Sequence, residues 1–207
     1  MPLFIWFIMG VAISILGYFG VGLAAAVTLT RVGDHPQYDE TPGTYGLSYE
    51  TVRFESRTDR LKLAAWYVPK QGAERAIILV HGRDASKQNA ISGRLPALAA
   101  ELHRMGLTVL LLDLRGHGES EGKQYTWGVY ERRDVLAAVD FLRSTGFASG
   151  KIAVLGISLG GAAAVGAAYE ESAIGALILD STFADLQALV EPNWRKESGL
   201  PMFLLPG

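Results

Sequence analysis

Residues 151–165 read KIAVLGISLGGAAAV and join three local patterns. The apolar run 152–155 predicts a short buried strand, and the small residues after Gly160 predict a helix that packs closely on a sheet. Between them lies the pattern G-x-S-x-G, in which a serine on a sharp strand-to-helix turn exposes its hydroxyl at the sheet edge. We expect glycine at Gly156 and Gly160 because a side chain there would clash in the tight turn, and because glycine tolerates unusual backbone angles. The stretch therefore predicts Ser158 as a nucleophile.

The chain from residue 76 onward alternates between strand and helix patterns. Apolar runs at 76–80 and 107–112 are typical of strands that are buried on both faces. Helical spacing of apolar residues predicts helices at 87–105, capped by Ser86, and at 129–144. A strand at 176–179 and a helix from about residue 183 follow. This alternation predicts an α/β fold, a mostly parallel doubly wound sheet with right-handed crossovers and helices on both faces.

An antiparallel hairpin precedes this alternating region. Residues 51–55 and 61–68 have β-branched or alternating apolar residues, and the polar segment 56–60 separates them. Two such runs joined by a short polar turn predict a hairpin, which we place at the edge of the sheet.

Four loops leave the carboxyl ends of the predicted parallel strands, at 81–86, 113–120, 156–160 and 180–182, where functional residues of such sheets gather. The loops begin with HGR at 81–83, DLRGHGES at 113–120 and GISLG at 156–160. In order and spacing these segments resemble the α/β-hydrolase family, over about residues 49–190. The three motifs together are specific for the superfamily but not for a substrate.

The resemblance implies a role for each matching residue. Ser158 matches the nucleophile, and Gly156 and Gly160 match the glycines of the nucleophile elbow. The backbone N–H groups of Arg83 and Leu159 match the oxyanion hole, where each donor contributes about 10²–10³ in rate. The implied activity is a serine hydrolase that cleaves an ester or amide of a small molecule, lipid or peptide through an acyl-enzyme.

One part of the family's pattern is missing from the sequence. The catalytic triad of this fold runs Ser, then Asp or Glu, then His along the chain, whereas all four histidines here precede Ser158. We therefore expect a C-terminally truncated hydrolase, with an incomplete sheet and with the triad acid and histidine beyond residue 207. The alternative is a catalytically inactive, hydrolase-like membrane protein with a binding role, or the product of a decayed gene.

Other polar residues near the predicted site have simpler structural interpretations. We expect His81, His117 and Asp113 to brace their loops, with His117 as the alternative catalytic base. Asp180 is interpreted as a helix cap, with a triad acid as the alternative. The Arg83 side chain is expected to be solvated, although it could contact an acidic group of a substrate.

Composition narrows the classes of function. The chain has 207 residues, 19 basic and 21 acidic side chains and a net charge of −2, which argues against a nucleic-acid partner. The absence of cysteine excludes disulfide scaffolds and thiol catalysis. The sequence has no metal-ligand cluster, phosphate loop or dinucleotide fingerprint, so we expect no metal and no cofactor.

The N-terminal segment predicts a membrane anchor. No charged side chain precedes Arg31, and residues 3–29 are almost continuously apolar, which is long enough to cross a bilayer. We expect a single-pass transmembrane anchor at residues 1–30, a linker at 31–48 and the hydrolase domain at 49–207. A cleaved signal peptide, with the small residues 24–26 before the cleavage site, is the alternative.

Overall fold

The computed structural model describes residues 2–33 and 38–202. His35, which the sequence predicts to be solvated, lies outside the described residues. The chain divides into two compact units. One contains residues 32–183, and the other contains the residues before 32 together with those after 183. The predicted active-site residues all belong to the unit 32–183.

A six-stranded mixed sheet forms the centre of the unit 32–183. Its strands, in chain order, are β1 (Glu50–Glu55), β2 (Lys62–Val68), β3 (Ala76–Val80), β4 (Thr108–Leu112), β5 (Ile152–Ile157) and β6 (Ile174–Asp180). Their spatial order is β1-β2-β4-β3-β5-β6. β2 pairs antiparallel with β1 and β4, whereas β4, β3, β5 and β6 run parallel. The predicted hairpin at the sheet edge and the mostly parallel sheet are both confirmed.

Helices cover both faces of this sheet. The helices of the chain are α1 (Pro2–Leu29), α2 (Leu95–Arg104), α3 (Glu131–Ser144), α4 (Leu159–Glu170) and α5 (Leu186–Ser198). Alternate residues of β3 enter two separate cores: Ile78 and Val80 pack with residues of α3 and α4, and Ile77 and Leu79 pack with residues of α2. Side chains of a strand alternate between faces, so the continuous apolar run of β3 serves two helical layers, as a doubly wound fold requires.

The predicted helix at 87–105 begins eight residues late. α2 starts at Leu95, and Ile91 and Ser92 have φ of 55° and 54°, which no α-helix accommodates. A tertiary contact fixes this segment instead, because the Lys87 backbone N–H donates to Asp113 Oδ1 at 2.7 Å. The prediction failed because residues 91–93 all have positive φ, a break in the helix that apolar spacing does not register.

Two predicted helix caps are also wrong. Ser86 Oγ accepts two backbone N–H groups at 3.3 Å, but it caps the turn that follows and not a helix. Asp180 is the last residue of β6. Asp185 is the N-cap of α5, since its side chain accepts two backbone N–H groups of the first turn, at 2.8 and 3.2 Å. The helix after β6 therefore begins later than the sequence predicts.

The N-terminal helix and the segment after it differ in character. α1 is long and apolar enough to cross a membrane, and its most apolar window is not buried within the protein; a signal sequence has the same properties. In the described part of 31–48, residues Pro42–Tyr45 form a 3₁₀ helix, and Val32 N–H donates to the Lys123 carbonyl at 3.1 Å. The segment that follows α1 therefore makes defined contacts with the rest of its unit. The division into an anchor at 1–30, a linker at 31–48 and a hydrolase domain at 49–207 stays a prediction.

Candidate active site

Ser158 lies alone between a strand and a helix. β5 ends at Ile157 and α4 begins at Leu159, so the turn is shorter than the predicted five residues. Ser158 has φ of 50° and ψ of −111°, a strained backbone conformation for a residue with a side chain. Its N–H donates to the Asp180 carbonyl at 2.8 Å, which ties the turn to the end of β6. The chain reverses here within one residue.

The two glycines of the motif are required by packing. A Cβ at Gly156 would lie 2.5 Å from the Gly160 carbonyl oxygen, and a Cβ at Gly160 would lie 2.6 Å from the carbonyl oxygen of Val80. Neither glycine has φ in the left-handed range. The expected clash is therefore present, but the unusual backbone angle belongs to Ser158 itself and not to the glycines.

The loop after β3 passes directly beside Ser158. A Cβ at Gly82 would lie 3.3 Å from Ser158 Cβ. His81 Nε2 accepts the Leu114 N–H at 3.0 Å, so its Nδ1 carries the proton and donates to the Gly82 carbonyl at 2.7 Å. In a trans peptide the carbonyl and the following N–H point in opposite directions. His81 thereby fixes the direction of the Arg83 N–H.

The structure brings all five predicted site residues to one edge of the sheet. β3 and β5 are parallel neighbours with Val80 opposite Gly156, so the loops that begin at 81 and 156 leave the sheet side by side. Leu159 opens α4, where the first N–H groups of a helix have no intrahelical acceptor and the helix dipole is positive. The arrangement can place two backbone donors near the Ser158 hydroxyl. The roles of these residues stay predictions.

The loop from 113 to 120 is braced as the sequence suggests. His117 is buried and its Nδ1 lies 2.8 Å from the Arg115 carbonyl oxygen. The buried Arg115 guanidinium donates to the Asp134 carboxylate and pairs with Asp59. Burial opposes ionisation of Asp59, but Arg115 and Arg133 lower its pKa overall. These residues hold the loop in place through ionised side chains.

A buried lysine joins two loops near the site. Lys87 Nζ lies 2.5 Å from Asp113 Oδ2 and 2.6 Å from Glu119 Oε2, and 4.9 Å from the centre of the Trp66 ring. These side chains line a cavity of about 390 Å³ at the end of β2 and β4. With two carboxylates as partners, Lys87 joins the loop after β3 to the loop after β4. In the part of the chain that the structure describes, no group of three metal-ligating side chains occurs.

The Arg83 side chain is not simply solvated, contrary to the prediction. It is 32% exposed, and its Nε lies 3.3 Å from Asp84 Oδ2. Its Nη1 donates to the Tyr125 hydroxyl at 3.5 Å, and the guanidinium lies 5.4 Å from the centre of the Trp127 ring. An arginine stem and guanidinium readily cover an aromatic face. Tyr125 and Trp127 were not among the predicted site residues. Their only signal in the sequence is a pair of aromatic residues just before Gly128.

Known proteins similar to this chain were found by sequence. A family model described as serine aminopeptidase, S33, matches residues 71–204. The α/β-hydrolase domain-containing protein WAV2 of Arabidopsis thaliana is 31% identical over 153 residues, which cover 72% of this chain and 47% of WAV2. The thiohydrolase aneE of Aspergillus aculeatus is also 31% identical over 153 residues, with coverage of 72% and 45%. The chain thus spans about half the length of the curated relatives it matches.

Solved structures show the same fold. The Pyrococcus furiosus esterase Pf2001 superposes with a TM-score of 0.70 and is 26% identical, and the match covers 84% of this chain and 64% of the esterase. The α/β-hydrolase GrgF from Penicillium has a TM-score of 0.62 at 26% identity, with coverage of 72% and 50%. The architecture described above is therefore that of known hydrolases.

Proposed function

The chain belongs to the hydrolase family described as serine aminopeptidase, S33, within the α/β-hydrolase superfamily, and we propose that it is a serine hydrolase with Ser158 as its nucleophile. Its substrate is an ester or amide of a small molecule, lipid or peptide, cleaved through an acyl-enzyme. The observation that carries the proposal is the backbone of Ser158, held at φ of 50° between β5 and α4. Strain of this kind is kept at functional sites where the surrounding structure enforces it.

The reaction follows from the groups around Ser158. Its Oγ attacks the carbonyl carbon of the substrate while a base takes the hydroxyl proton, and the carbonyl oxygen becomes an oxyanion. The N–H groups of Arg83 and Leu159 donate to that oxyanion. Collapse of the intermediate expels the protonated alcohol or amine and leaves an acyl-serine, which water then hydrolyses to the acid. His81 acts here as a positioning residue, since it orients the Gly82–Arg83 peptide.

The base of this reaction is proposed to lie outside the 207 residues. Every histidine of the chain precedes Ser158, and both ring nitrogens of His81 bind backbone groups. His117 Nδ1 lies 2.8 Å from the Arg115 carbonyl oxygen, and His117 is the alternative base within the chain. A histidine later in the protein would match the order of triad residues in this fold.

We also propose that α1 anchors the protein in a membrane. The helix is 28 residues long and has no charged side chain, and a helix of about 20 apolar residues spans the hydrocarbon core. Two of its hydroxyl groups donate back to carbonyls of the same helix, Ser14 to Gly10 at 2.9 Å and Thr28 to Ala24 at 2.8 Å, so these two groups are satisfied without water. The hydrolase domain would then act next to the membrane surface.

Labelling with a fluorophosphonate probe tests the nucleophile. The probe reacts with an activated serine. If the reading frame continues past codon 207, we expect the probe to label the longer product. Ser158→Ala should abolish labelling. Ser144→Ala is the matched control, because Ser144 is an exposed serine at the end of α3 and its loss should leave labelling unchanged.

The outcomes separate the alternatives. Labelling of the 207-residue chain itself, at Ser158, would show that the base lies within the chain and would make His117 the first residue to replace. Labelling that persists in Ser158→Ala would refute the assignment of the nucleophile. No labelling of either product would favour the inactive, binding role.

A further inference from the structure

A strained tryptophan is held in the loop that precedes α3. Trp127 has φ of 55°, an uncommon conformation for a bulky residue, and Gly128 follows with φ of 100°. The buried carboxylate of Glu131 fixes this turn: it accepts the Thr126 N–H at 2.9 Å, the Gly128 N–H at 2.7 Å and the Thr126 hydroxyl at 3.0 Å. The backbone strain at Trp127 is therefore maintained by a dedicated set of hydrogen bonds.

This turn lies against the helix that begins next to Ser158. A Cβ at Gly128 would lie 2.9 Å from Ala162 Cβ, and Ala162 is in the first turn of α4. The Ala162 N–H donates to the Ser158 carbonyl at 3.1 Å. Contact through a glycine brings the backbone of this turn against the first turn of α4, the helix that begins next to Ser158.

Aromatic and cationic groups surround the Trp127 ring. Phe183, in the loop after β6, packs edge-on with a centroid distance of 6.0 Å, and Tyr125 does so at 5.2 Å. The Arg83 guanidinium lies 5.4 Å from the ring centre, and the Arg83 N–H is the proposed oxyanion donor. Trp127 and Phe183 are both only half-buried, so part of each residue is accessible to solvent.

We infer that Trp127 and Phe183 form an aromatic wall that binds an apolar chain of the substrate; this inference rests on the proposed function. The substrate class is then an ester or amide with a medium-length hydrocarbon group instead of an acetyl group. Aromatic rings supply large apolar contact areas, and backbone strain of this kind persists where the surroundings enforce a functional geometry. Trp127 is a specificity-determining residue in this view, and Glu131 is the residue that positions it.

The inference can be tested by ligand binding without catalysis. In the Ser158→Ala chain, calorimetry compares octanoate with acetate, which share a carboxylate and differ only in methylene groups. We expect Trp127→Ala to lower the octanoate affinity about tenfold, as when roughly two methylene groups lose their contact, and to leave acetate unchanged. Trp127→Phe should retain most of the octanoate affinity. Tyr169→Ala, which removes an aromatic side chain that is 92% exposed, should have no effect.

A second variant keeps the inference falsifiable if Trp127→Ala does not fold. Phe183→Ala removes the other ring of the wall and should lower the ratio of octanoate to acetate affinity by several-fold as well. Octanoate bound no more tightly than acetate by the parent chain, or a ratio of octanoate to acetate affinity that Phe183→Ala leaves at the parent value, would overturn the inference. Octanoate binding that depends on Trp127, together with failure of the fluorophosphonate probe to label the longer product, would contradict the proposed function and leave the aromatic wall intact.

Discussion

Replacing Gly160 with alanine tests whether the contact between α4 and β3 shapes the site. The added Cβ would lie 2.4 Å from the His81 carbonyl oxygen and 2.6 Å from that of Val80. Ordinary contacts begin near 3.4 Å, so one of the two backbone segments must move by up to about 1 Å. Both segments are backbone within or next to the sheet, and neither can rotate away as a side chain does.

The expected free-energy change is a balance of two terms. Alanine improves helix propensity over glycine by about 1 kcal/mol, while overpacking of a rigid site costs typically about 1–3 kcal/mol and occasionally more. Because the clash is with backbone, we expect the second term to exceed the first by about 2 kcal/mol. For a protein of this size that lowers the Tm by about 4–8 °C.

Gly166→Ala is the matched control within the same helix. A Cβ at Gly166 would lie 3.2 Å from Arg132 Cδ and 3.3 Å from Arg132 Cβ, distances that a shift of a few tenths of an ångström relieves. We therefore expect its Tm to be unchanged or up to about 3 °C higher. The measurement is thermal unfolding of the full chain in detergent, followed by circular dichroism. Equal Tm values for Gly160→Ala and Gly166→Ala would refute the packing argument.

Two further predictions concern the oxyanion donor and the anchor. In the longer product, Arg83→Ala keeps the backbone N–H and should slow fluorophosphonate labelling by less than about tenfold. Arg83→Pro removes this donor and should slow labelling by about 10²-fold or more. Equal losses would show that the guanidinium is the working group. The protein should stay in the membrane pellet after a carbonate wash because α1 spans the bilayer; release into the supernatant, or an N-terminus that begins near Val27, would contradict the anchor.

Local sequence patterns predicted most of the sheet. The runs at 76–80 and 107–112 consist of side chains that are apolar on both faces, and a strand with helices above and below it requires such residues at every position. The G-x-S-x-G pattern likewise predicts its own strand and helix, because a Cβ at Gly156 would meet the Gly160 carbonyl oxygen four residues later. In these cases the residues that determine the local structure lie within the segment itself, so the sequence of the segment is enough to predict it.

The sequence was a poor guide where distant groups fix the backbone. The predicted helix at 87–105 begins only at Leu95, because residues 91–93 have positive φ and the segment before them is held by the Asp113 carboxylate, which binds the Lys87 N–H and Nζ. The Arg83 side chain was expected in water but covers the ring of Trp127, which is 44 residues later in the chain. Neither partner can be identified from spacing.

The sequence by itself determined the alternating strands and helices, the long apolar helix and the position of Ser158 at a strand end. Only the tertiary structure decided which loops meet at that serine. Gly82 approaches Ser158 because β3 and β5 are neighbours in the sheet, and Gly128 lies against Ala162 in the first turn of α4, in a turn that the buried Glu131 fixes. Hydrogen-bond and steric contacts between segments far apart in the chain depend on three-dimensional packing, which local periodicity does not encode.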